Sequence, residues 1–329
     1  TINYIDRTSL GVAGPTLKDK LHIDEQQFAF IIMFFQISYM VMQPISGRLL
    51  DWFGTKIGFT LAVVWWSVAN MLHAFACTPL QFGIFRALLG IGEAGNFPGV
   101  AKTNAEWFPP KERTMATGVA NFGSGTGALI ATPLVGWIIW KYGWQEAFVF
   151  TGAIGFIWVA LWLLLYHPPE KHPQITDEER DYILRGQNEL QVQDQPNEKG
   201  VWKIVLLQKN FWGIAAARFL AEPALQFFSY WIPMYLVTQR GMNLKQIAFF
   251  AWIPFLAADL GSLIGGMLSP MFQRLGLSVL NSRKAAMTLA ACMMPALLLT
   301  ATAPTAHWAI FWFCCVAFAH QCISAVLLT

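Results

Sequence analysis

Ten apolar runs of about twenty residues follow one another along this chain, separated by short turns and one long polar segment. An α-helix of about 20 residues spans about 30 Å, the hydrocarbon thickness of a bilayer. The runs are therefore expected to be membrane-spanning helices over residues 1–17, 27–50, 56–77, 79–101, 113–139, 144–166, 210–238, 246–271, 284–303 and 306–329. The fold class is all-α integral membrane protein, with the lipid bilayer as one partner. Composition agrees: 55% of residues are hydrophobic and 12% charged, with mean hydropathy +0.45. A soluble domain carries about twice that charge fraction. The chain opens on TINYIDRTSLGVAGP, without the basic n-region of a signal peptide, and stops inside the apolar AVLLT. It is expected to be truncated at both ends, with the first helix incomplete.

Several function classes fall away at this level. A net charge of +3, with basic residues dispersed, gives no nucleic-acid partner. The five cysteines, 77, 292, 314, 315 and 322, form no CxxC pair and read as small buried hydrophobes. GSGTGA lacks the Gly-Lys-Ser/Thr ending of a phosphate loop and lies in an apolar run, where small residues allow close helix contact. No nucleophile–base array, metal-ligand spacing or nucleotide fingerprint is present. No catalytic residue, metal or cofactor is therefore expected, and the chain does not read as an enzyme. Trp144 and Trp308, at span edges, read as interface anchors.

The polar segment divides the chain into 1–166, a bundle of six helices; 167–209, a linker; and 210–329, a partial bundle of four. Within the linker, TDEERDYILRG reads as a short surface helix capped by Thr176, with Glu179 three residues on. In the loops and at the span ends, fourteen Lys and Arg lie on the linker's side and five on the other; short loops and span ends alone give eight to five. The positive-inside rule places the linker in the cytoplasm. GRLLDWFGTKIG after the second span and GGMLSPMFQRLGLSVLNSRK after the eighth echo one another, as repeated bundles of transporters do.

Ionisable residues inside such spans are the strongest functional pointers, because each costs at least ~2.5–3.5 kcal/mol at mid-bilayer. They are Asp6, Arg7, Arg86, Glu93, Arg218, Glu222, Asp259 and His320. Arg86 and Glu93 are seven residues apart. Two helical turns bring them to one face, about 10 Å apart along the axis. Gly90 lies between them and leaves room for a ligand or a partner helix. Either the two form a structural pair, or Arg86 holds an anion while Glu93 takes a proton. A carboxyl in an apolar bundle is costly to leave ionised, which suits it to proton uptake. Asp6 and Arg7 are adjacent, so they point about 100° apart; one is free to face a cavity while the other pairs with a neighbouring helix. Tyr39 offers a hydroxyl halfway down its span, or simply packs. Arg218, Glu222, Gln226 and Tyr230 form an i+4 ladder that reads as the lining of a water-filled cavity, with Arg218–Glu222 open to being a self-neutralising pair. Asp259, near Gly261, Gly265 and Gly266, is structural or cavity-facing. His320 and Gln321 are either satisfied core groups or partners for substrate hydroxyls.

GRLLDWFGTK resembles the signature loop of the major facilitator superfamily, RALLG its fourth-helix element and GSGTGALIATP its fifth-helix motif. Trp52 and Thr55 stand where the family often has basic residues, so the loop's charge network is expected to be thinner. NYIDR, Tyr39, RALLGIGEAGNFP and EWFPPKER resemble the anion–cation symporter branch. RFLAEPA, WIP, IAFFAW, ADLGSLIGG and FAHQ narrow the likeness to carriers of sugar acids, glucuronate and galacturonate first. The resemblance implies a two-bundle fold with about ten of twelve helices present, in the bacterial inner membrane, working by alternating access as a monomer. It implies proton-coupled symport, with Asp6 and Glu93 as proton carriers. Arg7, Tyr39, Arg86, Arg218, Gln226, Tyr230, His320 and Gln321 are implied at the substrate site. Gly47, Asp51, Gly54 and Lys56 are implied in a loop that latches the outward-facing state. A symporter of another organic anion (galactonate, glucarate, an aromatic acid), a non-transporting membrane sensor and an inactive fragment are the alternatives.

Overall fold

The computed structural model describes residues 1–109, 112–191 and 206–327. These form fourteen α-helices and three short 3-10 turns, with no strand among the described residues. In chain order the helices are α1 (Ile2–Leu21), α2 (Glu25–Phe53), α3 (Thr55–Leu72), α4 (Pro79–Glu93), α5 (Asn96–Trp107), α6 (Arg113–Tyr142), α7 (Trp144–Leu165), α8 (Asp177–Gln191), α9 (Lys209–Thr238), α10 (Leu244–Phe250), α11 (Ile253–Arg274), α12 (Val279–Ala291), α13 (Leu297–Thr302) and α14 (Ala306–Leu327). Among the described residues, six segments are long and apolar enough to cross a membrane by length and composition: Glu25–Phe53, Thr55–Phe75, Trp144–Leu165, Lys245–Arg274, Val279–Thr302 and Ala306–Val326.

Local chemistry sets the helix ends. Asp24 caps α2 and Thr78 caps α4, each in a reciprocal box with a glutamine three residues on. Gly54, at φ 76°, makes the tight turn between α2 and α3, a backbone region that disfavours a side chain. Thr176 accepts from the Glu179 backbone N–H (3.2 Å), as the sequence suggested, but α8 runs past Gly186 to Gln191.

Three expected spans prove to be interrupted, each near a proline. The fourth, expected unbroken over 79–101, turns at Ala94 and Gly95. Pro98 lacks the N–H that would bond the Ala94 carbonyl. Ser46 Oγ of α2 donates to that carbonyl instead (2.9 Å). The eighth breaks at Ala251–Trp252, just before Pro254, giving α10 and α11. The ninth breaks around Pro295, giving α12 and α13. It also starts earlier than expected, at Val279, where Ser278 accepts from the Asn281 N–H (3.4 Å).

The chain groups into two compact units. The first comprises Thr1–Ser9, Thr16–Ser124 and Ile138–Gln195; the second comprises Leu10–Pro15, Gly125–Trp137 and Pro196–Thr329. In the first, α2 packs on α4, and α3 packs on both α4 and α7. Its core joins Phe35, Leu50, Phe59, Val63, Trp66, Ala69, Leu89 and Val159. Trp144 is buried there against Phe82 and Phe148 and is not an interface anchor; Trp308 is half exposed, as an anchor should be. In the second unit α14 packs on α11 and α12. A Cβ at Gly265 would come within 2.7 Å of the Cys322 backbone, so only glycine allows that approach of α11 to α14. Of the cysteines only Cys322 is buried; Cys77 and Cys292 are exposed, which corrects their reading as buried hydrophobes.

Candidate functional site

A group of polar side chains lies within the first unit, carried by α1, α2, α3, α4 and α7. Its centre is an ion pair: Arg7 Nε donates to Glu93 Oε2 at 2.6 Å. Asn3 Nδ2 donates to the same oxygen at 3.2 Å. The Glu93 side chain is fully buried and that of Arg7 is 11% exposed. Asn3, four residues before Arg7, lies on the same face of α1. The Arg7 guanidinium also lies over three aromatic rings, Tyr39 at 4.5 Å, Phe35 at 5.1 Å and Tyr4 at 5.4 Å. Such contacts stabilise a cation withdrawn from water.

Asp6 faces elsewhere, as its 100° offset from Arg7 requires. Its Oδ1 accepts from Asn70 Nδ2 of α3 at 2.8 Å. Asn70 Nδ2 also donates to Thr151 Oγ1 (2.7 Å) and to the Phe148 carbonyl (3.3 Å), both on α7. Asp6, Asn70 and Thr151 are all fully buried. Arg86 is fully buried too, with its guanidinium 5.9 Å from the Phe148 ring. It interacts electrostatically with both Asp6 and Glu93. His73, in the 3-10 turn after α3, stacks on Phe148 at 5.1 Å. Its Nδ1 faces the carbonyls of Ala69 (2.9 Å) and Asn70 (3.1 Å), so Nδ1 carries the hydrogen.

The structure thus brings Asp6, Arg7, Tyr39, Arg86 and Glu93 into one unit and gives them distinct partners. Glu93 is bonded to Arg7 rather than to Arg86, despite the shared helical phase of the last two. Of the two uses open to Gly90, the close approach of a helix is realised. A Cβ there would meet Ser38 Oγ at 2.3 Å and the Phe35 carbonyl at 2.6 Å. At the loop between α2 and α3, Asp51 pairs with Lys102 of α5 at 2.8 Å. Lys102 also donates to the Leu50 carbonyl (2.9 Å). Lys56, expected there, offers its backbone carbonyl to Trp162 Nε1 (3.1 Å), and Gly47 is part-buried with its Cβ position 4.0 Å from Pro98. Glu106 accepts from both Thr55 and Tyr166, tying the start of α3 to the end of α7. Burial and then Glu106 push the Tyr166 phenol well above its ordinary value.

In the second unit Tyr230 and His320 are buried and Gln321 is part-buried. The side chains of Arg218, Glu222 and Gln226 lie outside the described residues. Asp259 is half-buried, and a Cβ at Gly125 would come within 2.0 Å of its Oδ1. Among the described residues no group of His, Cys, Asp and Glu has metal-site spacing.

Asn3, Asn70 and Thr151 carry no charge and so are not marked by the sequence as site residues; Lys102 is charged but lies outside the expected spans. His73, an ionisable residue inside the expected third span, joins the intramembrane set. An amide in an apolar run was the available signal for Asn70, in WWSVANMLHAF. Lys102 gave none, because its partner is 51 residues away.

A sequence profile described as Major Facilitator Superfamily matches residues 1–329. The chain is 44% identical over 331 residues to a hexuronate transporter of Escherichia coli (strain K12), covering 100% of this chain and 76% of that one. It is 40% identical over 294 residues to a galacturonate transporter of Dickeya chrysanthemi, covering 89% and 85%. Among solved structures it resembles a bacterial homolog of the human lysosomal transporter Spinster, inward-facing and unoccupied. The TM-score is 0.79 at 19% identity, covering 99% of this chain and 71% of that one, a likeness of fold alone.

Proposed function

The chain belongs to the major facilitator superfamily, and from that premise we propose that it carries a hexuronate, glucuronate or galacturonate, with protons across the bacterial inner membrane by alternating access. The linker, 167–209, is cytoplasmic and joins bundles 1–166 and 210–329. The chain works as a monomer and transports rather than catalyses.

One observation carries this reading: two buried acids, Asp6 and Glu93, share an apolar unit with two arginines, Arg7 and Arg86. A structural ion pair needs one acid and one base. Two of each, with unlike partners, provide for an anionic cargo and for protons. The substrate carboxylate takes Arg7 and Arg86, for which guanidinium geometry is suited. As it takes Arg7, Glu93 loses its cation. A buried carboxylate without a cation is costly, and a proton removes the cost. Tyr39 lies against Arg7 and offers its hydroxyl to the sugar. Arg218, Gln226, Tyr230, His320 and Gln321 supply further substrate contacts from the later helices. Gly47, Asp51, Gly54 and Lys56 form the loop that latches the transport cycle.

The test is uptake by the full-length protein in proteoliposomes. An inward proton gradient should drive radiolabelled glucuronate or galacturonate above its external concentration. Unlabelled galacturonate and glucuronate should compete better than galactonate or glucarate. Accumulation indifferent to the proton gradient sinks the coupling; preference for galactonate or glucarate replaces the substrate.

A further inference from the structure

We propose that Asn70 is a positioning residue for proton coupling: it fixes one oxygen of Asp6 and thereby presents the other to the proton. The inference rests on reading Asp6 as a proton carrier.

The geometry is specific. Asn70 Nδ2 reaches Asp6 Oδ1 at 2.8 Å and is itself held by Thr151 Oγ1 at 2.7 Å. Asp6 Oδ2 has no hydrogen-bond partner among the described residues. An amide N–H donates to a carboxyl oxygen whether or not the other oxygen carries a proton. Asp6 can therefore gain and lose a proton at Oδ2 with its anchor intact. Glu93 shares an amide donor, Asn3, and an unpartnered second oxygen, but it differs in being held also by Arg7, a cation whose attraction depends on the negative charge. Among the described residues, the charged groups that act on Asp6 are Glu93 and Arg86 on α4; Arg7 adjoins it on α1, His73 after α3 bonds the Asn70 carbonyl and acts on Arg86, and α7 contributes Thr151, a neutral hydroxyl. Asn70 and Thr151 are thus uncharged members of this shell. They orient the carboxyl without fixing its protonation state.

The experiment compares two readouts on the full-length protein in proteoliposomes: proton-driven accumulation of glucuronate, and counterflow exchange, which needs no net proton movement. Asn70→Leu, which fills the volume without a donor, should lower the ratio of accumulation to exchange by about tenfold or more, tenfold being the lower end expected for losing a hydrogen bond to a charged group. Thr151→Val leaves the Asn70–Asp6 bond but removes a hydroxyl that anchors Asn70 and also lies beside the Asp6 carboxyl, and should lower the ratio less. It also serves as the reading if Asn70→Leu does not reach the membrane. A merely structural role lowers both readouts together and leaves the ratio unchanged, which overturns the inference. Asp6→Asn separates the two levels. If it abolishes accumulation while the Asn70 and Thr151 variants keep the wild-type ratio, Asn70 has no coupling role and Asp6 remains a proton carrier. If Asp6→Asn accumulates substrate as wild type does, Asp6 itself is no proton carrier.

Discussion

Two ion pairs in the first unit have nearly the same geometry and opposite settings. Arg7 and Glu93 meet at 2.6 Å with the acid fully buried; Lys102 and Asp51 meet at 2.8 Å with the acid side chain 74% exposed. In water such a pair gains little, because both ions are already solvated. In the interior each ion has lost its water, and each becomes the main compensation for the other. The same contact is therefore a dependency in one place and a minor tether in the other. The buried site is the one where a competing carboxylate, offered by a substrate, changes the most.

The largest effect is expected at Glu93. Glu93→Gln leaves the Arg7 charge buried without an anion and should destabilise the protein by about 3–5 kcal/mol. Proton-driven accumulation should be lost with it. Arg7→Met with Glu93→Gln removes both charges and should regain part of that stability. Thermal unfolding of the purified variants reads this directly. If the double variant is as unstable as the sum of the two single ones, the acid and base are not each other's main partner.

Next comes the packing that holds the buried pair in place. Gly90→Ala pushes a methyl to within 2.3 Å of Ser38 Oγ and 2.6 Å of the Phe35 carbonyl. The α2–α4 contact must open, at about 1–3 kcal/mol. Because Phe35 also lies against Arg7, substrate affinity should fall along with stability. A variant with wild-type melting and affinity would mean that α2 and α4 do not approach so closely.

How much of this was legible beforehand follows from the kind of signal involved. Helical phase placed Arg86 and Glu93 on one face, and adjacency separated Asp6 from Arg7. Family likeness then joined these residues in one site. What stayed hidden was pairing at long range: Glu93 bonds a residue 86 positions away, and Asp6 one 64 positions away. No periodicity encodes that. Asn70 and Thr151 carry no charge, and a neutral amide or hydroxyl in an apolar run resembles ordinary helix packing. The helix breaks at Ala94, Ala251 and around Pro295 were legible in principle, since a proline lies close to each. Hydropathy alone ran across them.

Away from the buried ion pair the effects shrink. Tyr166 donates to Glu106, and its phenol is held above the ordinary value of about 10 by burial and by that carboxylate. A group whose proton is held more tightly in the folded state adds stability below its ordinary value. That stability is lost as pH rises above it. Tyr166→Phe should cost about 1 kcal/mol at neutral pH, and the difference from wild type should shrink above about pH 10. A difference that grows with alkaline pH would reverse the assignment of donor and acceptor.

The smallest effect is expected at Lys102. Its ammonium donates to Asp51 and to the Leu50 carbonyl, near the last turn of α2, where a cation also complements the helix dipole. The charge contribution sits beside water, on an acid that is mostly exposed, and is screened by salt. Lys102→Ala should therefore change stability by less than about 1 kcal/mol, and the change should fade at high salt. Lys102→Arg should restore it, because a cation rather than a particular shape is required there. Melting curves at low and high ionic strength test this beside Glu93→Gln, whose cost should survive the salt. If Lys102→Ala destabilised the protein as much as Glu93→Gln, and did so at high salt, the exposed pair would be as strong a dependency as the buried one. Burial would then not be what distinguishes them.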